Sequence, residues 1–260
     1  MKLLVKPFQL MYALYAMLLF LLIIFLVLPF VVVVSFLGKY RGGNAVMQLA
    51  HWWADVWLLL IGIRHERIVE SEPDPNRPYI FISNHNSYMD IPQLLKAIRR
   101  PLRVLGKAEM GKVPVFGFIY NAAVVPVKRS SAADRARSMH MLRSILSRNI
   151  SIFIAPEGTF NTSPAPLARF YDGAFRLAIE TQTPIQPLLF LDAVDRLHWK
   201  SIFSLTPGRL RTVYLPAVSP EGYTPYDVAA LRDHVHALME QKLLQYRPSW
   251  IRAADAQKAS

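Results

Sequence analysis

The sequence of 260 residues contains no cysteine. This absence excludes a thiolate nucleophile, a disulfide framework and any zinc site that uses cysteine ligands. Acidic residues are also scarce, because 18 aspartates and glutamates stand against 30 lysines and arginines and leave a net charge of +12. Such a basic chain suits an anionic surface. Zinc-finger spacing and the aromatic motifs of ribonucleoprotein domains are both missing, so we expect no nucleic-acid partner.

Charged residues are absent from one long stretch near the N-terminus. Residues 10–37 read LMYALYAMLLFLLIIFLVLPFVVVVSFL. About 20 apolar residues cross a bilayer as a helix, so this stretch is long enough to lie in a membrane. It is too long for a signal peptide and has no small-residue cleavage site. Pro29 favours either a kink in one tilted helix or the bend of a re-entrant hairpin.

A second apolar segment follows at residues 44–63, with the sequence NAVMQLAHWWADVWLLLIGI. Its tryptophans, Trp52, Trp53 and Trp57, predict an interfacial helix with aromatic anchors. The alternative is a buried helix that packs on the domain that follows, and the two interpretations are compatible.

The proline-rich break ESEPDPNRP, residues 70–78, separates these segments from a chain in which strand-like and helix-like pieces alternate. Such alternation predicts an α/β fold with a mostly parallel or mixed sheet flanked by helices. The predicted organisation is a membrane-embedded and interfacial helical segment (1–69), a linker (70–78), an α/β domain (79–246) and a C-terminal tail (247–260). The predicted strands are 79–82, 102–106, 123–127, 151–154, 185–191 and 210–215, and the predicted helices are 90–97, 132–148, 174–180 and 226–246.

The stretch ISNHNSYMD, residues 82–90, places His85 and Asp90 where a predicted strand turns into a helix. Ligand sites of α/β sheets lie at such carboxyl ends of strands. Asp90 could orient the imidazole of His85, which would then act as a base toward a hydroxyl of the substrate. Alternatively, Ser87 and Asp90 form a capping box and the stretch is an ordinary turn.

Two further stretches contain candidate binding residues. Glu157, Gly158 and Thr159 follow the apolar strand SIFIA, and a plain turn with a solvated glutamate is the alternative. Basic side chains that could bind an anionic group are Lys107, in KAEMGKVPVFGF, and Lys128 with Arg129, which end the stretch AVVPVKR.

The order of these stretches is more specific than any one of them. An N-H-x4-D stretch, a Lys/Pro/Gly segment ending in V-P-x-x-R, a P-E-G-T stretch, F-x-x-G-A and a P-x-x-P stretch follow one another between about residues 79 and 192. This order resembles that of the membrane-bound glycerolipid acyltransferases, specifically the lysophosphatidic acid (1-acylglycerol-3-phosphate) acyltransferases.

The resemblance implies a fold, a reaction and a set of site residues. It implies an α/β domain behind a two-helix membrane motif, a fatty acyl thioester of CoA or acyl carrier protein as donor, and no metal or other cofactor. His85 would be the general base and Asp90 its partner. The resemblance would place Glu157, Gly158 and Thr159 in the acceptor site and Arg129 on the acceptor phosphate. Asn84, Lys107 and Lys128 complete the predicted substrate-binding set on their own chemistry, and Arg169 is a further cation that could bind the phosphate. The protein would be integral or deeply monotopic, with its site on the cytoplasmic face.

Two positions depart from the family pattern. Phe160 stands where an arginine usually follows Glu-Gly-Thr, and Asp172 stands where a basic residue is common. Both departures leave the acyl-transfer chemistry intact and concern the phosphate of the acceptor. We therefore expect lysophosphatidic acid as acceptor, with another lyso-lipid such as a lyso-aminolipid as the alternative.

Two other classes of protein compete with this interpretation. A membrane serine hydrolase would use Ser83 or Ser87, but the chain lacks a Gly-x-Ser-x-Gly motif. A non-catalytic lipid-binding protein would keep the apolar segment and the basic charge, yet would not need the His85, Asp90 and Glu157 stretches together.

Overall fold

The structure, a computed structural model, describes residues 2–113, 116–127 and 131–251. Its helices are α1 (Lys2–Ser35), α2 (Arg41–Leu60), α3 (Asp90–Ala97), α4 (Phe116–Ala123), α5 (Ala132–Leu146), α6 (Gly173–Thr181), α7 (Ala193–Arg196) and α8 (Val228–Tyr246). Its strands are β1 (Ile63–Val69), β2 (Ile80–Ser83), β3 (Leu102–Lys107), β4 (Val124–Val127), β5 (Ser151–Ile154), β6 (Ile185–Phe190) and β7 (Gly208–Tyr214). Two 3₁₀ turns cover Ala108–Lys112 and Ile202–Ser204.

The strands form one seven-stranded mixed sheet in the order β1-β7-β6-β2-β5-β3-β4. Neighbouring strands are parallel except β6 and β7, which are antiparallel. β2 lies in the middle of the sheet, and all four of its residues are buried. The loop that follows β2 therefore begins at the carboxyl end of a central strand, where α/β folds place their ligand sites.

Each face of the sheet has its own apolar core, as the alternation of side chains along a strand requires. On one face, Phe81 and Phe153 pack with apolar side chains of α1, α2 and α3. On the other face, Ile82 and Ile154 pack with side chains of α5, α6 and α8. The sheet is thus covered by helices on both sides, which explains why β2, β5 and β6 are buried throughout.

Helices α1 and α2 form a hairpin on the first of these faces. The chain reverses between Ser35 and Arg41, with Gly38 at a φ of +83°. Helix α1 continues through Pro29, so the reversal lies at the glycine and not at the proline. Within the described residues, Pro7–Ser35 is the one helical stretch long and apolar enough to cross a bilayer, and 17% of its most apolar window is buried. Most of its surface is therefore left for contact with lipid, which supports membrane association.

The tryptophans of α2 divide between the two roles that the sequence leaves open. Trp53 and Trp57 are buried against Phe20 of α1, and the indole N–H of Trp57 donates to the carbonyl of Ala16 at 2.9 Å. Only Trp52 of the three is exposed, at 57% of its surface. The interfacial role thus fits Trp52, and the buried-helix interpretation fits the other two.

The structure corrects one part of the predicted organisation. Residues 63–69 were expected in the helical membrane segment, but they form β1, which pairs with β7 in parallel register from Ile63–Gly208 to Val69–Tyr214. The α/β domain therefore begins before the proline-rich break. The start of the predicted tail is also packed, because Ile251 is buried and Trp250 donates its indole N–H to the carbonyl of Leu191.

Candidate active site

His85, in the loop after β2, contacts Asp90, the first residue of α3. The imidazole Nδ1 lies 2.7 Å from Oδ2 of Asp90. The side chain of Asp90 is 2% exposed and that of His85 is 24% exposed. Because the carboxylate accepts the Nδ1–H, the other ring nitrogen, Nε2, is left with a free lone pair. The pair therefore has the geometry of an oriented general base.

The same carboxylate oxygen also holds the loop. Oδ2 of Asp90 accepts the backbone N–H groups of Asn86 and Ser87, each at 3.0 Å. Half of the predicted capping box is thus present, since Asp90 binds the N–H of Ser87. The other half is absent, because the Ser87 hydroxyl oxygen accepts from the N–H of Met89. The two interpretations of this stretch are consequently not exclusive, as Asp90 stabilises the turn and orients the imidazole.

Asn84 ties the loop to the neighbouring strand β6. Its amide nitrogen donates to the carbonyl of Phe190 at 2.9 Å, and its amide oxygen accepts the N–H of Phe190 at 2.8 Å. The side chain is buried, so it replaces one rung of the β2–β6 ladder. Asn84 therefore fixes the start of the His85 loop to the backbone of β6. Its predicted contact with substrate stays a prediction.

Glu157 connects two loops behind His85. One carboxylate oxygen accepts the backbone N–H of His85 and the other accepts that of Ala168, both at 2.8 Å. The side chain is 2% exposed. Burial raises the pKa of Glu157 to about 7, although the two N–H donors favour the charged form. Glu157 is thus a buried residue that joins the His85 loop to the backbone of Ala168, and not a solvated turn residue.

The loop after β5 also contacts His85 directly. The N–H of Asn161 donates to the carbonyl of His85 at 2.7 Å, so both polar groups of the His85 peptide unit are held by this loop. Gly158 adopts a φ of +73°, which favours glycine, and Thr159 is exposed. The ring centroid of Phe160 lies 4.5 Å from that of the imidazole. The ring centroid of Tyr88 lies 4.9 Å from that of Phe160, with an angle of 89° between the ring planes.

The predicted cationic residues are less closely defined by the structure. Lys107 is exposed at the end of β3. Lys128 and Arg129 lie outside the described residues, just beyond the end of β4 at Val127. Arg169, a further cation near the Ala168 amide, is exposed. Within the described ranges, no group of three His, Asp or Glu side chains could hold a metal ion.

The two serines of the rival hydrolase interpretation are both buried. The hydroxyl of Ser83 donates to the carbonyl of Asn84, and that of Ser87 lies 3.0 Å from the carbonyl of Ala193. Both hydroxyls are therefore buried and bound to backbone carbonyls, which argues against either serine as the nucleophile of a hydrolase.

Several residues that build the site have no sequence motif of their own. Phe190, Asn161 and Ala168 act through backbone groups, which any residue type supplies. Tyr88 was visible in the sequence only as part of the stretch after His85. Contacts that span 72 residues, such as that between Glu157 and His85, leave no periodic pattern that could predict them.

Comparison with known proteins relates this site to one enzyme family. Residues 64–191 match the family model described as Acyltransferase. The 1-acyl-sn-glycerol-3-phosphate acyltransferase alpha of Mus musculus is 31% identical over 182 residues, covering 69% of this chain and 64% of the relative. The chain thus spans just under two thirds of that relative's length.

Two other similar proteins have a closer match in length. The 1-acyl-sn-glycerol-3-phosphate acyltransferase of Haemophilus influenzae is 26% identical over 233 residues, covering 85% of this chain and 94% of the relative. The crystal structure of the 1-acyl-sn-glycerophosphate acyltransferase PlsC from Thermotoga maritima superposes with a TM-score of 0.71 at 21% identity, covering 95% of this chain and 98% of that chain. This last similarity confirms the fold.

Proposed function

We propose that the chain, whose residues 64–191 match the family model described as Acyltransferase, transfers a fatty acyl group from a thioester to the free hydroxyl of a lysophospholipid. The preferred acceptor is 1-acylglycerol-3-phosphate, which would yield phosphatidic acid for phospholipid biosynthesis. The observation that carries the proposal is the 2.7 Å contact between Nδ1 of His85 and Oδ2 of Asp90. The names of the two similar acyltransferases, both 1-acyl-sn-glycerol-3-phosphate acyltransferases, support the choice of substrates.

The geometry suggests direct transfer without a covalent enzyme intermediate. Nε2 of His85 removes the proton of the acceptor hydroxyl while its oxygen attacks the thioester carbonyl. Asp90 stabilises the imidazolium that forms. When the tetrahedral intermediate collapses, the C–S bond breaks and the imidazolium returns the proton to the leaving thiolate.

Backbone amides are the candidates for stabilising the oxyanion. The N–H groups of residues 85–87 and of Asn161 already have acceptors. The amides of Thr159 and Phe160 have no acceptor among the residues that the structure describes, and they lie in the loop that contacts His85. We assign them to the oxyanion on that basis.

The membrane supplies the setting for this reaction. Both substrates have long acyl chains, and the exposed apolar face of α1 would hold the site at the bilayer surface, where such chains reside. The protein would be integral or deeply monotopic. Acyl-CoA and acyl carrier protein are the two candidate donors, and both would reach a site on the cytoplasmic face.

The test is an acyl-transfer assay with the purified full-length chain. Wild type and His85→Ala are compared with 1-acylglycerol-3-phosphate and, in separate reactions, an acyl-CoA and an acyl carrier protein thioester. Loss of the base should reduce the rate by about 10²–10⁴-fold. His234→Ala is the matched control, because His234 is exposed on α8, which covers the face of the sheet opposite α3. A His85→Ala variant that keeps more than about a tenth of the wild-type rate would overturn the assignment.

The same assay separates the alternatives. A lyso-aminolipid that is acylated faster than lysophosphatidic acid would change the acceptor and leave the chemistry in place. Transfer to no lyso-lipid at all would favour a non-catalytic lipid-binding protein.

A further inference from the structure

The segment between α7 and β7, residues 197–207, exposes two large apolar side chains on an ordered turn. Ile202 is 45% exposed and Phe203 is 48% exposed. We name this segment the 197–207 loop.

Hydrogen bonds within the loop fix its shape. The N–H of His198 donates to the hydroxyl of Ser204 at 2.8 Å, and the N–H of Thr206 donates to the carbonyl of Arg196 at 2.9 Å. Leu205 of the same loop is buried in the core. The loop therefore buries the side chain of Leu205 and exposes those of Ile202 and Phe203. Because these hydrogen bonds hold the backbone, the two exposed side chains are fixed on the outside of the loop.

The turn that carries these side chains lies against α1, which also exposes apolar side chains. The 3₁₀ turn Ile202–Ser204 packs against α1. Along α1, Phe8 is 75% exposed, Met11 is 67% exposed and Leu18 is 68% exposed. The exposed apolar side chains of the loop therefore lie on a turn that packs against an apolar helix, and exposed apolar surfaces of this kind mark sites of association.

The polar neighbours of these side chains fit a lipid interface. Trp199 precedes them, and the ammonium group of Lys200 lies 5.2 Å from the centre of its indole ring. Tryptophan and lysine are the residues that occupy the headgroup region, with lysine directed at anionic lipids. We infer that the 197–207 loop is a second membrane-contacting element, in which Ile202 and Phe203 enter the acyl region while Trp199 and Lys200 lie among the headgroups.

The loop is also joined to the catalytic turn. Ser87 forms a β-bridge with His198, and its hydroxyl lies 2.5 Å from the carbonyl of Leu197. The backbone N–H of Ser87 in turn donates to Asp90, the partner of His85. Contact of the loop with lipid would thus fix the height of the His85–Asp90 pair above the bilayer.

The absence of cysteine from the chain allows a direct test. Single-cysteine variants Ile202→Cys and Phe203→Cys are spin-labelled, reconstituted as the full-length chain into vesicles of phosphatidylethanolamine and phosphatidylglycerol, and compared in their accessibility to oxygen and to a water-soluble nickel chelate. Phe30→Cys reports on α1, where Phe30 is 62% exposed. Tyr226→Cys is the matched control, because Tyr226 is 97% exposed and precedes α8 on the opposite side of the sheet.

The labels at 202 and 203 are expected to resemble the label at 30, with high oxygen and low nickel accessibility, while the label at 226 stays aqueous. The inference rests on the proposed attachment of α1 to the membrane, and the label at 30 tests that attachment separately. Aqueous labels at 202 and 203 beside an immersed label at 30 would overturn this inference alone. An aqueous label at 30 would overturn the membrane attachment and this inference with it.

A second measurement tests the link to catalysis. The double variant Ile202→Asp/Phe203→Asp should lose about tenfold or more of its rate on acceptor presented in vesicles, because two apolar side chains no longer enter the bilayer. Its rate on a short-chain acceptor dissolved below its critical micelle concentration should match that of wild type, as should both rates of Tyr226→Asp. An equal loss on both forms of acceptor would contradict a role at the membrane and indicate damage to the fold.

Discussion

The ring of Phe160 lies 4.5 Å from the imidazole of His85, with an angle of 58° between the two ring planes. Phe160 is in turn contacted edge-on by Tyr88. Apolar carbon therefore lies beside the imidazole, at a position where the motif resemblance implies an arginine. Position 160 thus places an aromatic ring, and no cation, beside the imidazole.

Replacing Phe160 by arginine tests how the residue at this position affects binding of the acceptor. Phe160→Arg is expected to lower the KM for lysophosphatidic acid, because a charge-assisted contact contributes about 1.5–3 kcal/mol, or roughly 10- to 150-fold. The kcat should fall, since a cation beside the imidazole disfavours the imidazolium. The KM for a neutral monoacylglycerol should not change. Phe160→Leu, which removes the ring without adding charge, is the control, and a similar drop in KM in that variant would show that the charge is not the cause.

Asp90→Asn separates the two roles of the Asp90 carboxylate. The asparagine oxygen can still accept the N–H groups of Asn86 and Ser87, so we expect a melting temperature close to that of wild type. The negative charge that stabilises the imidazolium is lost, so the acyl-transfer rate should fall by about 10²–10⁴-fold. Asp90→Ala removes the acceptor as well and should lower both rate and melting temperature. A stable Asp90→Asn variant with normal rate would leave the carboxylate with a structural role only.

Glu157 makes stability depend on pH in a defined direction. Its pKa is raised from 4.5 to about 7, so between these values the folded chain holds a proton that the unfolded chain has released. This group therefore makes the folded state less stable as pH rises through that window, by up to about 3 kcal/mol. Glu157→Gln does not titrate there. The melting temperature of wild type minus that of Glu157→Gln should be larger at about pH 5 than at about pH 8. The opposite trend would mean that the two N–H donors outweigh burial and that the carboxyl is ionised throughout.

Arg129, beyond the described end of β4, is the sequence-based candidate for the acceptor phosphate. Arg129→Ala should raise the KM for lysophosphatidic acid by roughly 10- to 150-fold and leave hydrolysis of the donor thioester nearly unchanged. Arg129→Lys should restore part of the affinity, since lysine keeps the charge but loses the planar fork. If Arg129→Ala has no effect and a lyso-aminolipid is the better acceptor for wild type, the phosphate interpretation is wrong while the His85–Asp90 chemistry stands.

Most of the sheet could be predicted because its strands are short apolar runs bounded by turn residues. Ser151–Ile154 and Asp90–Ala97 agree with the predicted bounds, and the ends of the other predicted elements shift by a few residues. The fold class is confirmed by the structural comparison. β1 was missed because its sequence, IRHERIV, is largely polar and follows an apolar helix without a proline or an acidic cap. As an edge strand that pairs with β7 alone, it buries little and leaves a weak pattern.

The residues of the candidate site could be predicted where a sequence motif specifies the side chain that acts. The motif places His85 and Asp90 on the turn from β2 into α3, with four residues between them, and the contact between them is present. The role of Glu157 was less accessible, because its partners are backbone amides in two distant loops. The motif resemblance indicates that Phe160 stands where an arginine is usual, but only the folded chain brings its ring next to the imidazole. Side-chain contacts across loops depend on the tertiary fold, and periodicity does not report on them.

The pairing of β1 with β7 also has a consequence for biosynthesis. Ile63 pairs with Gly208, which is 208 − 63 = 145 residues further along the chain. At roughly 5–20 residues per second, the ribosome needs on the order of ten seconds to deliver that partner. During this interval α1 and α2 are complete, while the strand attached to them has an open edge. The α1–α2 hairpin can therefore reach the membrane long before β7 is available, and β1 of the nascent chain is unpaired during this interval.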